Sequence, residues 1–338
     1  MDEIIYRIIS NPVPTDGLFA LWRHVASHIV EVYEEGDIPV IDLQHCQNIL
    51  FKDGREYKDN TWEYFFKQPA SVGLGDLKNK KIKFCHSNHM AYSHKMLALY
   101  PKHLLVTKED TRQHPYAKRY AELLQWNNEM KQYFEETKAK YFGDEKDILG
   151  IVLRGTDYVV CKPSGHPIQP TVDEVIEKAK KLKEQLGYKK IYVATEDNDY
   201  YKRFKQEFGS MLIENIQYKY NRANVNAFLC DIKIDRKDHL YNLQKEYAGS
   251  MYLISQCKYL IGGMSSAALM VYLMSNLYGN FDYVYLWDKG SYSNSSTSKD
   301  SLLEKIFSIK NKRENNKIHK VLTILGIKMK FGKEIMHF

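Results

Sequence analysis

A chain of 338 residues, 44% hydrophobic and 27% charged, has the composition of a folded protein with room for two domains. Its formal charge of +7 suits an anionic small ligand or an anionic membrane surface, and no Lys/Arg block with interleaved aromatics marks a nucleic-acid module. The five cysteines (Cys46, Cys85, Cys161, Cys230 and Cys257) are scattered without a CxxC pair, which argues against a disulfide framework or a cysteine zinc site. The acidic start Met1-Asp2-Glu3 is no signal-peptide core, and no apolar stretch approaches the roughly 20 residues that span a bilayer. A cytoplasmic, reducing location is the expectation.

In chain order, Ile4 to Ile9 reads as a strand, followed by a Pro-rich turn ending in Asp16-Gly17. Leu18, Leu21, Trp22, Val25, Ile29 and Val32 recur at helical spacing and predict a helix to about Glu35. Gly36 stops it, and Ile38 to Asp42 is a buried-strand candidate. Residues 44–115 have no clear pattern beyond an aromatic run, Trp62-Glu-Tyr-Phe-Phe66, that suits a short helix. A helix over Ala117 to Lys140 precedes a charged linker at Gly143 to Asp147, which suggests a domain boundary near residue 145.

The second half alternates strands and helices. Ile148 to Leu153 is a strand ending at Arg154-Gly-Thr-Asp157. Thr171 and Glu174 form a capping box for a helix to Leu186, closed by Gly187. Lys190 to Ala194 is a strand ending in Thr195-Glu196-Asp197, with a helix through Phe208 and then Met211 to Ile213. A helix over Tyr241 to Gln256, a strand Tyr259 to Ile261, a helix opened by Ser265 and a strand Tyr283 to Leu286 complete the pattern. Such alternation implies an α/β fold with parallel sheets.

In open parallel sheets ligands bind beyond the carboxyl ends of the strands. Three strands here end in polar or glycine-rich clusters: Arg154 to Asp157, Thr195 to Asp197, and Gly262-Gly-Met-Ser265-Ser266. The third suits a phosphate: two glycines allow close backbone approach, and a helix N-terminus and serine hydroxyls favour negative charge. It equally suits a plain strand-to-helix turn with Ser265 as N-cap. Arg154 supplies a fixed cation for a departing diphosphate, with Asp157 as its orienting partner or as a structural ion pair.

These clusters carry a resemblance. Val152-Leu-Arg154-Gly-Thr-Asp157 resembles the His-x-Arg-x-x-Asp signature of the α-1,2-, α-1,6- and protein O-fucosyltransferase superfamily, with Val152 in place of its histidine and Gly155 where some branches carry a second arginine. Val193-Ala-Thr195-Glu196-Asp197 is similar to its second motif and Ser255 to Ser266 to its third. Asp16-Gly17-Leu18-Phe19 is similar to its N-terminal Gly-x-Gly-Asn segment, without the second glycine and the asparagine. The resemblance implies the GT-B fold, two Rossmann-like domains facing across a cleft: residues 1–145 on the acceptor side and 146–310 binding the nucleotide sugar. It also implies an inverting, metal-independent transfer of fucose from GDP-fucose to a bacterial surface glycan or lipid-linked glycan. Arg154 would assist departure of the diphosphate; Gly17, Asp157, Thr195, Glu196, Asp197, Ser265 and Ser266 would bind the donor.

Other residues stay open. His166, in the proline-rich loop after the arginine, is a candidate loop or acceptor contact, and Glu63 a candidate base across the cleft; each also reads as an ordinary surface residue. Asp197-Asn-Asp199 forms an Asp-x-Asp that would serve a metal-dependent glycosyltransferase, or a helix start. A non-catalytic nucleotide-sugar or glycan-binding protein is the alternative outside enzymes. Cys85, His86, His89 and His94, like His24 and His28, lack the partners that close a zinc site. No GxxxxGK[ST], GxGxxG or GxSxG occurs. Residues 311–338 are lysine-rich with scattered apolar residues, an amphipathic tail that either lies on the inner face of an anionic plasma membrane or packs back as a helix.

Overall fold

The computed structural model describes residues 4–10, 15–85, 116–225 and 227–292, together with the backbone of 307–314, 317–324 and 327–335. The histidines at 86, 89 and 94 lie outside the described residues. The chain forms two compact units, Met1–Lys162 with His166–Gly290, and Pro163–Gly165 with Ser291–Phe338.

In the first unit, β1 (Ile5–Ile9) lies between β2 (Ile38–Ile41) and β3 (Lys81–Phe84), all parallel. The 17-residue helix α1 (Leu18–Glu34) connects β1 to β2. Leu18, Leu21, Trp22, Val25, Ile29 and Val32 are each at most 1% exposed, as their spacing predicts. Phe19, Ala26 and Val30 are buried as well, because α1 packs on β1 and β2 and also against a second-half helix. A helix buried on nearly every side needs apolar residues beyond a single stripe. In the region without clear pattern, Thr61–Tyr64 is a 3-10 turn whose Trp62 ring packs tilted against Phe66 at 4.6 Å, as Phe66 does against Trp126 at 4.7 Å. The edge strand β3 was not legible, since its four residues are all exposed.

After α2 (Ala117–Leu123) and α3 (Asn128–Tyr141) comes a five-stranded parallel sheet in the order β6-β5-β4-β7-β8. Its strands are β4 (Ile148–Val152), β5 (Lys190–Ala194), β6 (Leu212–Ile213), β7 (Tyr259–Gly263) and β8 (Tyr283–Trp287). The helices are α4 (Thr156–Cys161), α5 (Val172–Leu186), α6 (Asn198–Phe208), α7 (His239–Ser255) and α8 (Ser266–Met274). The expected α/β architecture with parallel sheets is therefore present.

Period-two alternation sorts even the fully buried strands onto two faces. Leu149, Ile151, Ile191, Val193, Tyr259 and Ile261 meet α5 and α6 on one side. Ile148, Val152, Tyr192, Ala194 and Leu260 join a cluster on the other side that includes α7, α8 and α1. Packing is thus continuous across residue 145.

Helix α5 begins as its sequence predicts. The Thr171 hydroxyl accepts from the Glu174 N–H at 3.2 Å, and the Glu174 carboxylate accepts from the Thr171 N–H at 2.8 Å. Thr171→Ala is expected to cost about 1 kcal/mol in urea denaturation. Hydrogen bonding to Lys289, then to Thr171, holds the Glu174 carboxyl down at about 2, against an ordinary 4.5. Its folded pKa is the lower one, so its contribution is complete above about pH 4.5 and fades as the pH falls toward 2. Glu174→Gln should flatten that part of the acid limb of a stability–pH curve.

The second unit contains a three-stranded antiparallel sheet, β9 (Phe307–Glu314), β10 (Lys317–Ile324) and β11 (Ile327–Ile335). The tail is therefore strand and not helix. Ile327-Lys-Met-Lys-Phe331 alternates apolar and basic residues with period two, the strand signature.

Candidate functional site

Beyond the carboxyl ends of β4 and β7 lies a cavity of about 460 Å³. It is lined by Arg154, Asp157, His166, Glu196, Ser265 and Ser266 from the second half and by Asp16, Gly17, Phe19 and Ile49 from the first. Eight of the residues singled out in the sequence or adjoining its motifs thus share one wall system: Asp16, Gly17, Arg154, Asp157, His166, Glu196, Ser265 and Ser266.

Arg154 follows β4 directly. Its Nη2 donates to Asp157 Oδ1 at 2.8 Å, its Nη1 lies 3.4 Å from Glu196 Oε1, and its guanidinium covers the Tyr158 ring at 4.7 Å. Burial opposes its charge, but the Asp157 and Glu196 carboxylates outweigh that and raise its pKa above the ordinary arginine value. The group is a permanent cation, held in place on three sides, with 18% of its side chain exposed. Both roles open for Asp157 thus meet in one contact.

The turn after Arg154 is held by two carboxylates. Glu196 Oε1 accepts from the Gly155 N–H at 3.0 Å and from the Thr156 hydroxyl at 2.9 Å. Asp197 Oδ2 accepts from the Thr156 N–H at 2.9 Å. Thr156 sits at φ +34°, a conformation that β-branched residues avoid, and these bonds keep it there. A Cβ at Gly155 would lie 2.5 Å from the Asp197 side chain, so only glycine fits where some related motifs carry arginine.

Ser265 is the N-cap of α8, its hydroxyl accepting from the Ala268 N–H at 3.4 Å. The two glycines before it also answer to packing within the chain. A Cβ at Gly262 would lie 2.3 Å from the Val152 carbonyl oxygen, and one at Gly263 would lie 1.9 Å from Gln169 Oε1. They are required by the neighbouring strand and by the loop packed across the strand end. Ser266 has a partner the sequence did not announce: Arg23 Nη1, from the buried part of α1, donates to its Oγ at 2.9 Å. With that lone pair engaged, the Ser266 hydroxyl retains a proton to give. An arginine amid Leu21, Trp22 and Val25 was the available signal.

Gly17 is the N-cap of α1 and brings no side chain to the task. Gln244 of α7 substitutes, accepting from the Leu18 N–H at 2.9 Å. The start of α1, with Asp16 beside it, therefore opens on the cavity. Asp16 Oδ2 lies 3.0 Å from His24 Nε2. His28 pairs instead with Glu31, so the two α1 histidines have separate partners. His166 Nδ1 lies 3.0 Å from the Tyr158 hydroxyl, and desolvation, then Arg154, lowers its pKa. Gln217 also lines the cavity; its Oε1 is buried with no hydrogen-bond partner among the described residues.

Three candidates fall elsewhere. Thr195 and Asp197 are fully buried behind the cavity wall. Asp197 Oδ1 accepts from the N–H groups of Asp199 and Tyr200 and caps α6, while Oδ2 accepts from Thr156 and from Arg222 at 2.7 Å. With both oxygens committed, the Asp-x-Asp is a helix start and not a ligand pair. Among the described residues no group of three or more His, Cys, Asp or Glu is arranged to hold a metal ion. Glu63 is exposed and outside the cavity lining: it accepts from Gln68 Nε2 at 2.9 Å, and Gln68 in turn bonds both backbone groups of Ile41 at the end of β2.

No family model matches the sequence, and no curated protein matches it. Among solved structures, the chain is similar to the fucosyltransferase NodZ from Bradyrhizobium, at 14% identity and a TM-score of 0.48, over 82% of this chain and 92% of that one. NodZ alpha-1,6-fucosyltransferase soaked with GDP-fucose matches at 13% identity and a TM-score of 0.45, over 81% and 93%. POFUT1 in complex with GDP matches at 10% identity and a TM-score of 0.45, over 83% and 98%. These three solved structures are fucosyltransferases that align with most of this chain and are remote from it in sequence.

Proposed function

We propose that this protein is an inverting glycosyltransferase that takes fucose from GDP-fucose without a metal ion and passes it to a hydroxyl of a bacterial surface glycan or lipid-linked glycan. The observation that carries the reading is that Arg154, Ser265, Ser266 and the start of α1 line one cavity. A permanent cation, serine hydroxyls and helix N-termini together suit a diphosphate. In the reaction an acceptor oxygen attacks the anomeric carbon, the bond to the diphosphate breaks, and the departing phosphate takes the electron pair. Arg154 would meet that growing charge. Asp16 and His166 are the lining groups able to take the acceptor proton, and the N-terminal half would serve the acceptor.

Calorimetry with GDP-, UDP- and dTDP-sugars tests the donor. GDP-fucose should bind most tightly and unaffected by a chelator, and a flat response across the panel would refute the reading. The enzyme would work at the inner face of the plasma membrane, helped by the lysines of residues 317–333. Co-sedimentation with anionic vesicles should drop when residues 311–338 are deleted.

A further inference from the structure

A second cavity, of about 590 Å³, adjoins the first: Ile49 and Cys230 line both. One wall comes from residues 48–56 of the first half and the other from residues 230–240 of the second. The walls are joined by a reciprocal pair, the Asp53 N–H donating to Asp238 Oδ1 at 2.9 Å and the Asp238 N–H to Asp53 Oδ2 at 2.7 Å. Asp238 sits at φ +52°, in the left-handed region, to make that contact. The two walls are therefore linked across the groove.

Its chemistry is mixed in a particular way. Phe51, Ile234 and Leu240 provide apolar surface. Around them stand three acids, Asp53, Glu56 and Asp235, and three bases, Lys233, Arg236 and Lys237. Arg236 is paired with Glu246, and the other lining charges nearly cancel, which leaves no strong excess of either sign for a phosphate or an amine. A neutral sugar fits such a wall, because its C–H face is apolar and each hydroxyl both donates and accepts. His239, 6% exposed, also lines the groove; its Nε2 bonds the Tyr220 hydroxyl at 2.8 Å while its buried Nδ1 has no partner among the described residues.

We infer that this groove is an extended acceptor subsite, holding the neutral sugar units that follow the one receiving the transferred residue. The inference rests on the glycosyltransferase reading and adds where the rest of the acceptor lies. Cys230 and Ile49 mark the passage between the two compartments.

The test compares neutral hexose and N-acetylhexosamine disaccharides and tetrasaccharides as acceptors. In the wild-type protein the KM should fall from disaccharide to tetrasaccharide. Two variants address the groove separately: Glu56→Ala with Lys233→Ala removes exposed rim charges, and Ile234→Trp fills the space. Each should raise the tetrasaccharide KM about tenfold or more and leave kcat nearly unchanged, the mark of lost uniform binding. The Kd for GDP-fucose, read by calorimetry on the same samples, should stay within about twofold, and this also certifies folding. An unchanged acceptor KM, a KM independent of acceptor length, or a weakened donor Kd would each overturn the inference. Failure of the wild-type protein to bind any nucleotide sugar would instead remove the reading beneath it.

Discussion

Arg154→Ala is expected to lower kcat by about a hundredfold to a thousandfold while the protein stays folded. The guanidinium is fixed before any ligand arrives, by Asp157, by Glu196 and by the Tyr158 face. Its orientation is therefore prepaid, and charge developing on a leaving phosphate meets a donor that need not reorganise. Lysine should rescue little, because one ammonium cannot hold Asp157 and present a planar fork together. Removing the cation leaves Asp157 and Glu196 facing the same space, so donor binding should weaken too. Single-turnover rates at saturating donor separate the two effects. A rate within about threefold of wild type would refute the assigned role.

Asp197→Ala is expected to be the most destabilising single change at the site, by about 3–5 kcal/mol. The side chain is fully buried and serves three backbone N–H groups and one guanidinium. Its loss uncaps α6, frees Arg222 beside a buried wall and releases Thr156 from its left-handed conformation. Each unsatisfied buried donor adds its own desolvation cost. Because Thr156 follows the Arg154 turn, activity should fall with stability. Arg222→Ala supplies the control: it removes one partner of Asp197 and leaves the three backbone contacts, so it should cost less. Urea denaturation ranks the two variants, and a loss below about 1 kcal/mol for Asp197→Ala would refute this account.

The contrast between Glu196 and Asp197 explains what could be read in advance. Both stand at the end of β5 and both were candidates for donor binding. Adjacent residues leave a strand on opposite sides, so Glu196 reaches the cavity wall beside Arg154 while Asp197 turns inward. Which side faces ligand depends on Tyr220, whose backbone bonds both neighbours of the turn, and on Arg222, which claims Asp197. Both partners arrive from a segment more than twenty positions away. Glu63 stands outside the cavity lining because Gln68, its near neighbour in the chain, is bonded to Ile41 at the end of β2 and holds the Glu63 carboxylate there.

From its sequence alone this protein determined the alternation of strands and helices, the capped starts of α5 and α8, and the strand-end position of Arg154. Those features depend on periodicity and on neighbours within one turn, which a linear reading contains. Tertiary structure alone decided that Arg23 and Gln244 reach the site and that Gly262 and Gly263 make room for Val152 and Gln169. Each of these is a contact between distant segments, and its energy exists only once the chain has brought them together.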